Sequence, residues 1–196
     1  MANPLPAGAI EVGEVKVEYR KDRYHLFGQS VIEAPRELIF DVLTDFDNFH
    51  LMAAGIAETR FLTENGERLG YTRIDTCILF YCRDVEKVEH VETKGKEVIL
   101  AEAIPERSNY RISKTRWELE AVEGSTKVTY IAQVRPDFWL PTAIGTWALR
   151  RTLRQSAESI GANIEYLHRK ELTLKQFAQL SRQQPTQNLK PTPKLR

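Results

Sequence analysis

Side chains capable of acid–base or metal chemistry are scattered along this sequence and form no recognisable motif. His50 lies near two carboxylates, those of Asp45 and Asp47. A surface or helix-capping role explains that grouping better than metal binding does. The sequence contains no nucleophile elbow, zinc-protease motif or glycine-rich phosphate loop. It therefore predicts no catalytic residue, no metal site and no cofactor.

Four charged residues fall on strands expected near the centre of a sheet. They are Arg73, Asp75, Glu102 and Arg111. A charge that faces the interior needs a partner, so an inward arginine–carboxylate pair indicates function more than stability. The alternation of the sequence does not fix the direction in which these side chains point. We treat them as candidate polar anchors for a ligand.

Aromatic and aliphatic side chains cluster in the helices and at inward strand positions. For any one of them, a place in the packed core is the simpler interpretation. Together they could line a cavity, because a curved sheet under a single helix leaves space that side chains do not fill. The candidate lining residues are Phe46, Phe49, Met52, Tyr71, Phe80, Leu100, Trp117, Leu119, Tyr130, Trp147, Leu149, Leu153, Ala157 and Ile160.

One long helix must cover these residues. The stretch 139–168 has its apolar residues at steps of three and four, and Pro141 occupies a first-turn position where proline is tolerated. Its opposite face carries three arginines, Arg150, Arg151 and Arg154. A helix of roughly 40 Å that is apolar on one side needs an equally long apolar partner.

The partner is a sheet. Alternation predicts strands over 14–19 and 24–32, and Ala34-Pro35 then opens the first of two short helices. Asn65-Gly66 is a strong hairpin signal within the meander that follows. Six further strands are predicted near 56–63, 67–78, 80–92, 97–104, 110–122 and 126–136. Strands followed by a covering helix make an α+β fold, with a curved antiparallel sheet of six to seven strands.

Composition places the chain among soluble globular proteins, with 196 residues of which 42% are hydrophobic and 28% charged. Residues 169–196 hold seven of the 28 Lys and Arg but only one of the 27 Asp and Glu, so the remainder carries a formal charge of −5. An acidic body argues against DNA as a partner.

The two cysteines, Cys77 and Cys82, lack zinc spacing and are too few for a disulfide framework, so free thiols are predicted. The first residues show no signal-peptide pattern. A cytoplasmic location is favoured, while an exported mature form stays open.

Two stretches resemble the START-like superfamily, in its polyketide cyclase/dehydrase and coenzyme Q-binding branch. The first is VIEAPRELIFDVLTDFDNF, and the second is RWELEAVEGSTKVTYIAQVRPDFWLP with the long helix after it. The matching residues are Ala34, Pro35, Phe40, Leu43, Thr44, Asp45, Phe46, Trp117, Leu119, Gly124, Ser125, Thr126 and Pro141. The resemblance covers about residues 24–168 and implies a helix-grip fold, in which the sheet wraps around the C-terminal helix and encloses an apolar cavity.

The expected organisation has four parts. Residues 1–13 form a flexible N terminus and 14–170 the helix-grip domain, followed by a helical extension over 171–182 and a disordered basic tail over 183–196.

Three functions are compatible with these observations. The first is binding, transport or chaperoning of a hydrophobic small molecule such as a lipid or isoprenoid quinone. The second is a cyclase or dehydratase, which needs an acid or base inside the cavity. The third is weak contact with an anionic membrane or a ribosome through the helix arginines and the basic tail. The sequence leaves the oligomeric state open.

Overall fold

The computed structural model describes residues 11–78 and 81–183. Its strands are β1 (Glu11–Arg20), β2 (Arg23–Ile32), β3 (Ile56–Glu64), β4 (Glu67–Ile78), β5 (Tyr81–Lys94), β6 (Val98–Ala103), β7 (Tyr110–Val122) and β8 (Ser125–Pro136). They form one antiparallel sheet of eight strands in the order β1-β2-β8-β7-β6-β5-β4-β3. The sheet is larger than the predicted six to seven strands because all eight predicted strands belong to it, with β1 paired to β2 at one edge.

Local turn chemistry sets the register of the first meander hairpin. Asn65 and Gly66 join β3 to β4 with positive φ angles of 51° and 82°. A two-residue type I′ turn needs positive φ at both positions, which asparagine and glycine tolerate best. The predicted hairpin is confirmed, and it places Phe61 opposite Gly70.

Three α-helices complete the fold, namely α1 (Arg36–Thr44), α2 (Thr142–Arg169) and α3 (Leu174–Gln183). Short 3₁₀ turns occupy Phe49–Leu51 and Pro105–Arg107. Helix α2 starts directly after Pro141 and has 28 residues, so it is about 42 Å long. No helix in the part of the chain that the structure describes is long and apolar enough to cross a membrane.

Helix α2 packs along one face of the sheet, which we call the inner face. Leu149 and Leu153 in its first half pack against the cluster formed by β1, β2 and β8. Ile160, Ile164 and Leu167 in its second half are buried with α1 in the main core. Apolar residues at steps of three and four thus meet the sheet along the helix, as the amphipathic pattern predicts.

Polar side chains of α2 also hold the segment that follows α1. Ser159 Oγ accepts a hydrogen bond from the backbone N–H of Ala54 at 2.8 Å. Asn163 Nδ2 donates to the carbonyl of Met52 at 3.0 Å. These bonds satisfy backbone groups in an irregular segment and fix it against the helix.

The prediction of free thiols is wrong. Cys82 is disulfide-bonded, and Cys77 is its Cα partner across the β4–β5 hairpin. The prediction rested on the small number of cysteines and on their spacing, which do not reveal pairing across a hairpin. Residues directly opposite each other on paired strands share a face.

Most of the predicted flexible N terminus (1–13) and of the predicted basic tail (183–196) lies outside the described residues. Glu11 already belongs to β1, and α3 occupies most of the predicted helical extension.

Candidate ligand-binding site

The inner face is identified by two glycines. Gly28 on β2 faces the side chain of Leu153 of α2, at 3.6 Å from the position a Cβ would take. Gly70 on β4 lies under Phe46, whose ring leaves no room for a Cβ there. Side chains alternate along a strand, and residues opposite each other on paired strands point to the same face. The two glycines therefore show which residues of the neighbouring strands point inward.

Small side chains occupy the centre of this inner face. One row across the sheet contains Ala132, Thr115 and Ala101 on β8, β7 and β6. On the next row, Ala103 of β6 and Gly70 of β4 are both partners of Glu89 on β5. Residues of this size cannot fill the space beneath a helix that packs chiefly over β1 and β2.

Several inner-face residues keep accessible surface although they lie on central strands. Ala101, Thr115, Trp117 and Tyr130 are all half-buried, whereas Leu119 and Val128 on the same strands are fully buried. A close-packed core would cover the first group as completely as the second. The ring centres of Trp117 and Tyr130 lie 4.6 Å apart in an edge-on arrangement. The two rings form an aromatic wall beside the small residues.

A charged pair lies on the same face. Lys87 Nζ is 2.8 Å from Glu89 Oε2, and the two side chains are only 19% and 4% exposed. Both belong to β5 and are two residues apart, so they point in the same direction. Burial alone would lower the pKa of Lys87, but attraction by the Glu89 carboxylate outweighs it and the pKa is raised. The lysine is therefore a stable cation at neutral pH.

Two tyrosines belong to the same electrostatic group. Burial raises the pKa of both Tyr110 and Tyr130, while the nearby Lys87 ammonium acts in the opposite direction. Both phenols consequently stay protonated at neutral pH. The inner face thus combines an apolar surface with a localised set of hydrogen-bonding groups, the arrangement typical of a small-molecule site.

Most predicted lining residues of the helices and of β7 and β8 lie on the inner side. Phe46 covers Gly70, while Phe49 and Met52 belong to the main core with Leu119 and Ile160. Leu149 and Leu153 contact the β1–β2–β8 cluster, and Ala157 of α2 is half-buried. Trp117 and Tyr130 are the predicted residues that lie beside the small side chains.

Three of the predicted lining residues lie elsewhere. Tyr71 is on the outer face, where its hydroxyl donates to Glu86 Oε1 at 3.0 Å. Leu100 is also on the outer face, because its neighbour Ala101 is on the inner one. Trp147 is 57% exposed, since it projects away from the buried side of α2 on which Ala148 lies. Phe80 falls outside the described residues.

The predicted polar anchors do not line the inner face. Arg73 forms an ion pair with Asp75 at 2.8 Å on the outer face, and Glu102 pairs there with Lys114 at 2.7 Å. Arg111 is exposed. The charged pair that does face inward, Lys87 and Glu89, was not among the predicted anchors.

The arginines of α2 form an exposed face. Arg150, Arg151 and Arg154 are all accessible to solvent, and the Arg151 guanidinium lies 5.8 Å from the centre of the Trp147 ring. Among the described residues, no group of histidine, cysteine and carboxylate side chains could hold a metal ion.

Comparisons with known proteins agree with this architecture. The family model described as polyketide cyclase / dehydrase and lipid transport matches residues 32–160. A STAR-related lipid transfer protein from Xanthomonas axonopodis is 16% identical with a TM-score of 0.62, over 79% of this chain and 98% of that chain. Human STARD10 is 16% identical with a TM-score of 0.62, over 85% of this chain and 78% of that chain. The Zhui aromatase/cyclase from Streptomyces sp. R1128 is 14% identical with a TM-score of 0.56, over 75% of this chain and 94% of that chain. At these identities the structural similarity shows a shared fold.

Proposed function

The chain belongs to the polyketide cyclase/dehydrase and lipid transport family, and on that premise we propose that it binds a hydrophobic small molecule, such as a lipid or isoprenoid quinone. The site is the space between the central strands and α2. Family and fold together suggest either hydrophobic ligand binding or cyclase-type activity. Binding alone requires an apolar surface that a ligand can cover, and the small side chains of the inner face support that role.

One observation carries the proposal. Ala101 and Thr115 are small, lie on central strands and face the helix, yet both keep accessible surface. A close-packed core would cover both residues fully, so their partial exposure supports the proposal. Removing about 200 Å² of apolar ligand surface from water contributes roughly 5 kcal/mol before the costs of association.

The test is native mass spectrometry of the protein as purified, followed by organic extraction of any bound molecule. We expect an apolar molecule bound one-to-one. The variant Ala101→Phe should lose it, because the added ring fills the site. Leu100→Phe is the matched control, since it adds the same ring one residue away on the outer face, and it should keep the ligand. Equal occupancy in both variants would exclude this face as the site.

A cyclase is the second candidate, favoured by the charged pair on the inner face. Lys87 is protonated and can polarise a carbonyl, and Glu89 beside it is a buried carboxylate. Proton removal next to a polarised carbonyl is the step an aldol-type cyclisation requires. A linear poly-β-ketone thioester, followed by the absorbance of an aromatic product, distinguishes turnover from binding. Conversion by the wild type that is lost in Glu89→Gln would favour the enzyme, and unchanged substrate would favour binding alone.

A further inference from the structure

We infer that the Lys87–Glu89 pair recognises a hydroxyl group, so that the bound molecule is an apolar alcohol or phenol and not an anionic lipid. The inference rests on the proposed function, because it concerns one end of the same site. A buried ion pair is a poor stabiliser, since desolvation of the two charges offsets their attraction. Its place on a largely apolar face therefore needs another explanation.

The pair is buried, yet the residues directly opposite it on the neighbouring strands are small. Val85 and Val91 have the same parity along β5, so the pair interrupts an apolar row of that strand. Across the sheet, Glu89 is opposite Ala103 and Gly70, and neither can reach over it. The pair therefore lies beside the small residues at the centre of the inner face.

The pair has hydrogen-bonding capacity to spare. An ammonium has three donors, and the contact with Glu89 occupies one direction. Glu89 Oε2 is buried, and among the described residues it accepts no hydrogen bond of regular geometry. A hydroxyl group can donate to this oxygen and accept from Lys87 at the same time. An ether or ketone can only accept.

Charge excludes the anionic alternatives. Lys87 and Glu89 together are neutral, so a carboxylate or phosphate group placed between them would stand beside Glu89 without a counter-charge of its own. Burying such a charge is costly. A neutral hydroxyl avoids that cost and still satisfies the buried donor and acceptor.

Four probes with one ring system separate these possibilities: 2-naphthol, 2-methoxynaphthalene, naphthalene and 2-naphthoate. Their affinities for the full chain are measured by quenching of tryptophan fluorescence at neutral pH. We expect 2-naphthol to bind at least about tenfold more tightly than naphthalene, as for a hydrogen bond to a charged group. The methoxy compound should lose most of that advantage, and naphthoate should bind most weakly.

The variant Lys87→Met with Glu89→Leu replaces the pair by apolar side chains, a change that buried pairs often tolerate. It should lose the preference for 2-naphthol and keep its affinity for naphthalene. The matched control, Lys114→Met with Glu102→Leu, removes an exposed pair on the outer face and should behave as the wild type. If the first variant does not fold, the order of the four probes on the wild type decides.

Each outcome has a meaning. Equal binding of naphthol and naphthalene overturns the hydroxyl site and leaves the proposed function standing. Tightest binding of naphthoate also overturns it, in favour of an anion site. Failure of all four probes to bind contradicts the proposed function as well.

Discussion

Removing only one member of the inward charged pair should destabilise the protein strongly. In Lys87→Met the Glu89 carboxylate, which is 4% exposed, loses the ammonium that lies 2.8 Å away. An uncompensated buried charge of this kind costs about 3–5 kcal/mol. In a domain of this size, each kcal/mol lowers the Tm by about 2–4 °C, so a decrease of roughly 6–20 °C is expected.

The matched control is Lys114→Met. Lys114 forms an equally short contact with Glu102, 2.7 Å, but both side chains are more than half exposed. Water and salt screen such a pair, and it contributes at most about 1 kcal/mol. The assay is urea denaturation of both variants followed by circular dichroism, at neutral and at acidic pH.

Measurements at acidic pH should distinguish the loss of a charge partner for Glu89 from a simple packing defect. A buried carboxylate without a partner favours its neutral form, so protonation relieves the cost. The deficit of Lys87→Met relative to the wild type should therefore shrink as the pH falls. Equal losses in Lys87→Met and Lys114→Met, or a deficit independent of pH, would refute the placement of Glu89 on a buried inner face.

Three further predictions concern other contacts of the fold. Burial raises the pKa of Tyr110 and Tyr130 above their unfolded values, so the stability that their neutral phenols provide is complete below about pH 10 and is lost at higher pH. The urea midpoint of the wild type should therefore fall above that pH, and it should fall less in the double phenylalanine variant. Gly70→Ala should cost about 1–3 kcal/mol because the new methyl overlaps Phe46; Phe46→Leu in the same chain should recover part of the loss, and full additivity would contradict the contact. Thr126→Val removes a buried hydroxyl that donates at 2.8 Å to the backbone carbonyl of Ala34, just before α1. The free energy of unfolding, measured by urea denaturation, should decrease by about 1–3 kcal/mol. An unchanged free energy would show that the bond is unimportant.

The order of elements followed from local signals in the sequence. Alternation, the Asn65-Gly66 turn and the proline before α2 each have a direct physical cause in backbone geometry. The structure confirms the resulting α+β architecture of an antiparallel sheet covered by one long helix. Strand pairing at the N-terminal edge was less visible, because β1 is polar on one side and resembles an isolated hairpin strand.

The face of each central strand could not be assigned from the sequence alone. Tyr71 and Leu100 are apolar residues beside positions that the register places inward, and a shift of one residue moves every side chain to the other face. The inward charged pair was missed because β5 carries charges on both faces. A usable signal was present in the parity of Val85, Lys87, Glu89 and Val91, which places two charges between two apolar residues of the same row.

The central claim is that a hydrophobic molecule occupies the space between the central strands and α2. Isotope-filtered NMR with ¹³C-methyl-labelled alanine and leucine, in the presence of bound 2-naphthol, tests it most directly. We predict intermolecular NOEs from the naphthol ring to the methyl groups of Ala101 and Ala132, both on the inner face. NOEs to Leu100 on the outer face, with none to Ala101 or Ala132, would contradict the account.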